Sequence, residues 1–207
     1  MAINYARLPL IESREHNRGV RRMDIEQAIA GRRSVRDYTE GAVDEAVIRR
    51  LVETAVLAPS AMNEQPWTFT VVRHQALLTE ISRKAKAHMR AILAGGPHSE
   101  HFAALQDENF HIFYHAPVLI VISGASPGSW IAEDCALAAE NLMLAAYGMG
   151  LGTCWIGFAQ SYLNTEEGKG SLGVPGSWTP VAPIIVGHPA KPAPAVPRRA
   201  PVVRWVD

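Results

Sequence analysis

Cysteine is scarce in this chain: Cys135 and Cys154 are the only two among 207 residues, and their spacing matches no metal-binding or redox motif. A disulfide framework is therefore excluded, and we expect two reduced thiols in a cytoplasmic protein. Long apolar runs are also lacking. The longest lies near Val118–Ile122, far short of a bilayer-spanning helix, and the first residues form no apolar leader segment. We expect a soluble protein with no membrane partner.

An excess of either charge is absent as well, because 20 basic and 20 acidic residues give a net charge of zero. Nucleic acid and anionic lipid are bound through broad basic surfaces, so we expect neither as a partner. The eight histidines lack the HExxH spacing and the nearby cysteine pairs of common metal sites, so we expect no metal. With 48% hydrophobic residues, the chain has enough apolar material for the core of one domain.

The stretch APSAMNEQPW, residues 58–67, is the most informative segment that is present. It follows a helical pattern and carries Asn63 and Gln65 between Pro59 and Pro66. Each carboxamide presents a donor and an acceptor together, on backbone that the prolines stiffen. This arrangement suits a flat heterocycle whose edge alternates C=O and N–H, such as the pyrimidine side of a flavin. The alternative is a polar loop whose amides cap nearby backbone groups.

A second segment, GRRSVRDY, places three arginines and a serine within five positions. Arginine forks and a hydroxyl supply the fixed charge and the directed donors that a phosphate group needs. The alternative is that the arginines complement the negative end of the preceding helix. Because the basic clusters are local, they favour a small anionic ligand over a polymer.

These two segments, in this order, resemble the FMN-dependent nitroreductase family, whose members carry an RRSxR-like segment and then a PSxxNxQPW-like loop. The resemblance covers the chain from about Met23 to Arg199. It implies an α+β fold, a three-layer sandwich in which helices flank a mixed, mainly antiparallel sheet. It also implies an intertwined homodimer with FMN bound at the subunit interface.

The resemblance assigns two basic segments to the flavin phosphate. The first would contact the phosphate and the pyrimidine edge through Arg32, Arg33, Ser34 and Arg36. The second is a C-terminal pair, Arg198 and Arg199, which would close on the phosphate.

The resemblance assigns two further segments to the flavin ring. Asn63 and Gln65 would contact the ring edge, with backbone and van der Waals contacts from Pro59, Ser60, Ala61 and Met62. A backbone N–H from Ile156 or Gly157 would face flavin N5, where glycine permits a close approach. Several relatives have a glutamate in place of Ile156, so an acidic, nicotinamide-orienting role is not carried over.

The activity implied is hydride transfer from NAD(P)H, through FMN, to a flat electron-poor acceptor by a ping-pong mechanism. The acceptor would be a nitroaromatic compound, a quinone or a conjugated carbonyl. No side chain is assigned as catalytic, because the flavin carries the chemistry. Two alternatives are left open: a flavoprotein of this fold that performs reductive dehalogenation or flavin fragmentation, and a non-catalytic FMN-binding or dimeric interaction protein.

Residue periodicity predicts the order of secondary-structure elements. We expect helices from Asp24 to near Gly31, after Asp44, and at Gln75–Leu93 and Ile131–Tyr147. We expect strands at Trp67–Val72, Pro117–Ser123, Thr153–Phe158 and Val181–Val186. Residues 98–112 are compatible with a loose helix.

The chain is expected to divide into an N-terminal arm (1–22), a domain (23–188) and an extended tail (189–207). The helix at Ile131–Tyr147 is apolar on several faces, so it belongs either at the centre of the domain or across a subunit interface. The tail has five prolines between Pro189 and Pro201 and cannot form a helix or a ladder. It could be a disordered end, but we expect it to dock on a second copy. Cys154 is interpreted as a packing residue rather than a nucleophile.

Overall fold

A computed structural model of the chain describes residues 23–94 and 100–206. The helices are α1 (Ile25–Gly31), α2 (Glu45–Ala55), α3 (Gln75–Leu93), α4 (Ile131–Gly148), α5 (Gly157–Leu163) and α6 (Glu166–Leu172). The strands are β1 (Trp67–Val72), β2 (Val118–Gly124), β3 (Gly152–Trp155) and β4 (Thr179–Gly187). Within these ranges, no helix combines the length and the apolarity needed to cross a membrane. The predicted arm, residues 1–22, lies outside the described residues.

The four strands form one sheet in the order β1-β2-β4-β3, and every neighbouring pair is antiparallel. A parallel bridge joins Ser34 to Thr153 at the β3 edge. The two central strands, β2 and β4, are buried at nearly every residue because they have neighbours on both sides and helices over both faces.

Two hydrophobic clusters lie on opposite faces of the sheet. Side chains alternate along a strand, so Ile120 of β2 joins one cluster and Leu119 joins the other. The first cluster includes residues of α2 and α4, and the second includes residues of α3 and α5. This arrangement is a three-layer sandwich of a mainly antiparallel sheet between helices, and the predicted α+β fold is confirmed.

The helix α4 lies in the first cluster, where Ala138, Ala139 and Leu142 are fully buried. Its position at the centre of the domain is therefore one of the two places expected for this apolar helix. Leu137 and the preceding Trp130 are exposed in the single chain. A role of these side chains at a subunit interface stays a prediction.

The chain departs from the predicted elements after β3. The predicted strand at Thr153–Phe158 ends at Trp155, and α5 begins at Gly157. The last bond from this strand to the sheet is the one in which the Ile156 N–H donates to the Pro183 carbonyl at 2.8 Å. From Gly157 onward the backbone is helical and no longer pairs with β4. The helix α6 was not predicted either, although Thr165 caps it by accepting from the Gly168 N–H at 3.0 Å.

The sequence of residues 98–112 is compatible with a loose helix, and Glu100–Gln106 is a 3-10 helix. The segment that follows is fastened to α3 by Lys86, whose buried ammonium group donates to the carbonyls of Asp107, Glu108 and Phe110 at 2.7–3.0 Å. These three acceptors satisfy the donors of a charge that would otherwise be costly to bury.

We expect Lys86→Met to lower the free energy of unfolding by about 3 kcal/mol, because three carbonyls lose a charged donor. Urea denaturation of the full-length protein measures this change. Lys84→Met is the matched control on the same helix, since Lys84 forms surface ion pairs with Glu80 and Glu167 and such pairs contribute little. Equal losses in the two variants would contradict a special role for Lys86.

Candidate functional site

The arginine segment runs along the free edge of β3. The Val35 N–H donates to the Thr153 carbonyl at 2.9 Å, next to the bridge between Ser34 and Thr153. A Cβ at Gly152 would lie 2.7 Å from the Val35 Cβ, so glycine is what permits this close approach. The segment is therefore held as an extra edge of the sheet rather than as a free loop.

Two arginine side chains of this segment have different local partners. Arg32 places its Nε 3.3 Å from Glu140 Oε1 on α4. Arg33 donates from Nη1 to the carbonyls of Ala30 and Arg32, both at 2.7 Å. Arg33 thus complements the end of α1, which was the alternative interpretation of the cluster. Both Nε atoms are buried; that of Arg33 has no hydrogen-bond partner, whereas that of Arg32 has only the ion pair with Glu140.

A cleft of about 180 Å³ lies beside these two guanidinium groups. It is lined by the end of α1, the end of α4, the start of β3 and the first residues of the tail, with Tyr147, Pro189 and Ala193 among its walls. The cleft is large enough for a phosphate group. Two guanidinium groups beside the cleft, one with a buried donor that has no acceptor, favour an anion as its occupant.

The other two predicted residues of the segment, Ser34 and Arg36, lie close to Cys154. Burial raises the pKa of the Cys154 thiol, and Arg36 and Ser34 oppose that change in part. The thiol is almost fully buried and donates to the Trp155 carbonyl at 3.6 Å. A buried thiol with a raised pKa is a poor nucleophile, which agrees with the packing role expected for Cys154.

The carboxamide loop has an unusual backbone. Met62, Asn63 and Gln65 adopt positive φ angles of 51°, 57° and 48°. The loop folds back on Ser60, whose carbonyl accepts from the Asn63 N–H and whose Oγ accepts from the Gln65 N–H, both at 3.0 Å. Left-handed backbone is costly for side chains with a Cβ, so three such residues within four positions indicate a loop held in a special shape.

The two carboxamides of this loop bond to each other. Gln65 Nε2 donates to Asn63 Oδ1 at 3.0 Å, and both side chains are exposed. This bond uses neither the Asn63 amide donors nor the Gln65 carbonyl oxygen, so both are left for contacts outside the loop. Met62 is 92% exposed beside them. The described contacts therefore do not use these amides to cap the backbone, which was the alternative for this loop.

Asp134 is a residue of this region that sequence reasoning missed. Its Oδ1 accepts from the Ala61 N–H at 2.9 Å, although 73 positions separate the two residues. Asp134 lies in the first turn of α4 and is only 4% exposed. The one available signal was an acidic residue inside an apolar helical pattern, and such a signal does not name the partner.

The two residues predicted to face flavin N5, Ile156 and Gly157, differ in whether the backbone N–H is already bonded. The Ile156 N–H is already bonded within the sheet, and the Ile156 side chain is buried in the second cluster. Gly157 is the first residue of α5, where an N–H has no acceptor within the helix. The Gly157 N–H donates to no described backbone group outside the helix, and a Cβ at Gly157 would meet no atom within 4 Å.

The C-terminal basic pair is not brought to the other arginines within the chain. The start of the tail is tied down, since the Thr39 N–H donates to the His188 carbonyl and the Ala190 N–H to the Asp37 carbonyl. Beyond it the chain is extended without helix or strand, and Arg198 and Arg199 are exposed. Neither residue lines the cleft beside Arg32.

The predicted site residues form two groups that are far apart in one chain. The arginine segment and Gly157 lie around β3, whereas the carboxamide loop precedes β1 at the opposite edge of the sheet, three strand spacings or about 14 Å away. The length of α4 gives a second estimate of the separation between the two groups. The loop is bonded to Asp134 in its first turn, and a Cβ at Gly31 would overlap Tyr147 in its last turn. Thirteen helical residues correspond to about 20 Å.

Comparison with known proteins agrees with this fold. A model of the nitroreductase family matches residues 29–188. A protein of Methanothermobacter thermautotrophicus named for NADH dehydrogenase and NAD(P)H nitroreductase activities is 31% identical over 177 residues, which cover 83% of this chain and 81% of that protein. The chain therefore belongs to the nitroreductase family, and the oxidoreductase class predicted from the sequence is confirmed.

Two further relatives extend the comparison to cofactor and chemistry. A crystal structure of a nitroreductase with bound FMN from Bacteroides fragilis is 26% identical and superposes with a TM-score of 0.75, covering 89% of this chain and 100% of that one. A 5,6-dimethylbenzimidazole synthase of Rhodospirillum rubrum is 28% identical over 79% of this chain and 81% of that protein. The family thus holds relatives named for different reactions.

Proposed function

We propose that this chain is an FMN-dependent oxidoreductase whose cofactor site is completed by a second copy of the chain. The observation that carries the proposal is the separation of the two groups of site residues. Asn63 and Gly157 are both assigned to the flavin ring, yet they lie at opposite edges of the sheet, farther apart than the ring is wide. In a homodimer, the carboxamide loop of one copy can face the arginine segment and Gly157 of the other.

The residues around the cleft fit the phosphate end of FMN. The buried Nε atom of Arg33 has no hydrogen-bond partner, which is what an anionic group in the cleft would supply. Glu140 lies 3.3 Å from Arg32 and would share this guanidinium with the phosphate. Arg198 and Arg199 would reach the phosphate after the tail docks on the second copy, so we also propose the division into a domain (23–188) and a docking tail (189–207).

The remaining residues fit the ring end. Asn63 and Gln65 offer a free amide donor and a free carbonyl acceptor side by side, in a geometry fixed by their mutual hydrogen bond. Arg36 would place a positive charge beside the pyrimidine, and the Gly157 N–H, which donates to no described backbone group, would donate to N5. These groups bind and orient the ring and favour negative charge on it.

When bound, FMN would supply hydride transfer from NADH or NADPH to an acceptor, with both substrates using the same face in turn. The acceptor we propose is a flat electron-poor compound, namely a nitroaromatic, a quinone or a conjugated carbonyl. The relationship to a 5,6-dimethylbenzimidazole synthase keeps flavin fragmentation as the competing reaction. A cytoplasmic location stays a prediction that rests on the free, buried cysteines.

The purified protein is expected to be yellow and to oxidise NADH or NADPH when a quinone or a nitroaromatic compound is supplied. Steady-state kinetics at varied concentrations of both substrates should give the parallel lines of a ping-pong mechanism. Loss of the flavin spectrum in the presence of oxygen, without turnover of the acceptor, would instead support flavin fragmentation. A protein that takes up no FMN would overturn the proposal.

Arg32→Ala and Arg36→Ala are each expected to weaken FMN binding by about 1.5–3 kcal/mol, the range for hydrogen bonds to charged groups. Titration of the protein with FMN measures the dissociation constant. Arg49→Ala is the matched control, because Arg49 is an exposed arginine on α2 that pairs with Glu45. Wild-type affinity in both site variants would show that these arginines serve only the fold.

A mixed-subunit experiment tests the shared site. Homodimers of Arg36→Ala and of Asn63→Leu are each expected to be impaired in FMN reduction, because every site carries the substitution. A heterodimer of the two variants would contain one site with both substitutions and one site with neither. We therefore expect the separately tagged heterodimer to recover about half of the wild-type rate, since distant sites act independently. Heterodimers as slow as the homodimers would mean that one chain builds the whole site.

A further inference from the structure

The loop of residues 59–65 has a shape that its own sequence does not explain. Met62, Asn63 and Gln65 have left-handed backbone, yet none of them is glycine. The hydrogen bonds to Ser60 close the loop on itself but do not fix it to the domain. A costly backbone persists only where surrounding structure determines it. Something outside the loop must therefore hold it.

Two hydrogen bonds fix the loop and the residue after it to the rest of the described chain. Directly after the loop and before β1, the Pro66 carbonyl accepts from the Ala125 N–H at 2.8 Å. In its middle, the Ala61 N–H donates to Asp134 Oδ1 at 2.9 Å. The second bond lies at the first residue of the 3-10 turn that contains Met62 and Asn63, so it fixes the turn that carries the left-handed residues.

Asp134 is a buried carboxylate that has a reason to hold the Ala61 amide. A buried carboxylate is costly unless it is compensated, and among the described residues Asp134 takes part in no ion pair. Its place in the first turn of α4 puts it at the positive end of the helix dipole. The Ala61 N–H is the donor that the structure records for it. The bond therefore satisfies both a buried acceptor and a backbone donor.

We infer that Asp134 is a positioning residue for the cofactor loop: through the Ala61 amide it holds the loop so that Asn63 and Gln65 meet the flavin edge. This inference rests on the proposed function, since the position of the loop affects cofactor binding only in a protein that binds FMN. Asp134 does not touch the ring in this account. It acts through one backbone N–H and sets the orientation of two carboxamides.

A pair of substitutions separates the hydrogen bond from the charge. Asp134→Asn keeps an oxygen that can accept from Ala61, whereas Asp134→Ala removes the acceptor. Glu133→Ala is the matched control, because Glu133 is an exposed acidic residue in the same helical turn. A fourth variant, Ala61→Pro, deletes the donor without altering α4, and proline is tolerated at a first helical position.

The first measurement is amide hydrogen exchange at Ala61 in the full-length protein without added cofactor. Asp134→Ala should speed the exchange by about tenfold or more, as expected for loss of a hydrogen bond to a charged group. Asp134→Asn and Glu133→Ala should exchange within about threefold of wild type. The Asn side chain can still accept from the Ala61 N–H, and Glu133 takes no part in that bond. Unchanged exchange in Asp134→Ala would overturn the inference.

The second measurement is the FMN dissociation constant. Asp134→Ala and Ala61→Pro should each weaken binding by about tenfold, and the double variant should be no weaker than either one, because both remove the same bond. Asp134→Asn should restore the affinity. Additive losses, or an Asn variant as weak as the Ala variant, would overturn the inference. Failure of the wild-type protein to bind FMN would instead overturn the proposed function, and the exchange experiment would still decide whether Asp134 holds the loop.

Discussion

The packing of α4 against the sheet is the constraint on which the candidate site depends. Ala138, Ala139 and Ala146 are fully buried, and their small side chains let the helix lie close to β2 and β4. Both groups of site residues are attached to this one helix, the carboxamide loop through Asp134 and the arginine segment through the contact of Gly31 with Tyr147. Because the helix is rigid, it sets the distance between the groups.

That distance has a consequence for assembly. Under the proposed function, one chain presents its two groups of site residues at different edges of the sheet, too far apart for both to contact one flavin ring. Two copies related by a twofold axis would pair each group with its complement and form two equal sites. The apolar side chains left exposed on the single chain, such as Trp130, Leu137 and Trp205, would gain cover in the same step. Cofactor binding and dimerisation would then be coupled by geometry.

Most of the secondary structure was predictable because its signals are local. Asp24 caps α1 by accepting from the Gln27 N–H, and the apolar alternation of β1 is visible in six consecutive residues. The start of α5 was not predictable from composition, because Cys154, Trp155 and Ile156 all have the composition of a strand. The end of the strand is visible only in the structure, where Ile156 makes the last bond to Pro183. The contact between Ala61 and Asp134 joins positions 73 residues apart and has no local signal at all.

The distinction between local signals, which the sequence shows, and contacts, which only the structure shows, also applies to the chemistry of the site. Motif spacing predicted which segments bind a phosphate and a ring edge, but it did not show that Arg33 donates to the end of α1 or that Asn63 and Gln65 bond to each other. At Ile156 the sequence already departed from relatives that carry glutamate, and the structure gives the physical result. The side chain packs in the second cluster, and its N–H donates to the Pro183 carbonyl. The Gly157 N–H donates to no described backbone group, so under the proposed function Gly157 would be the donor to flavin N5. Orientation of the nicotinamide would then have to come from the shape of the site rather than from a charge at residue 156.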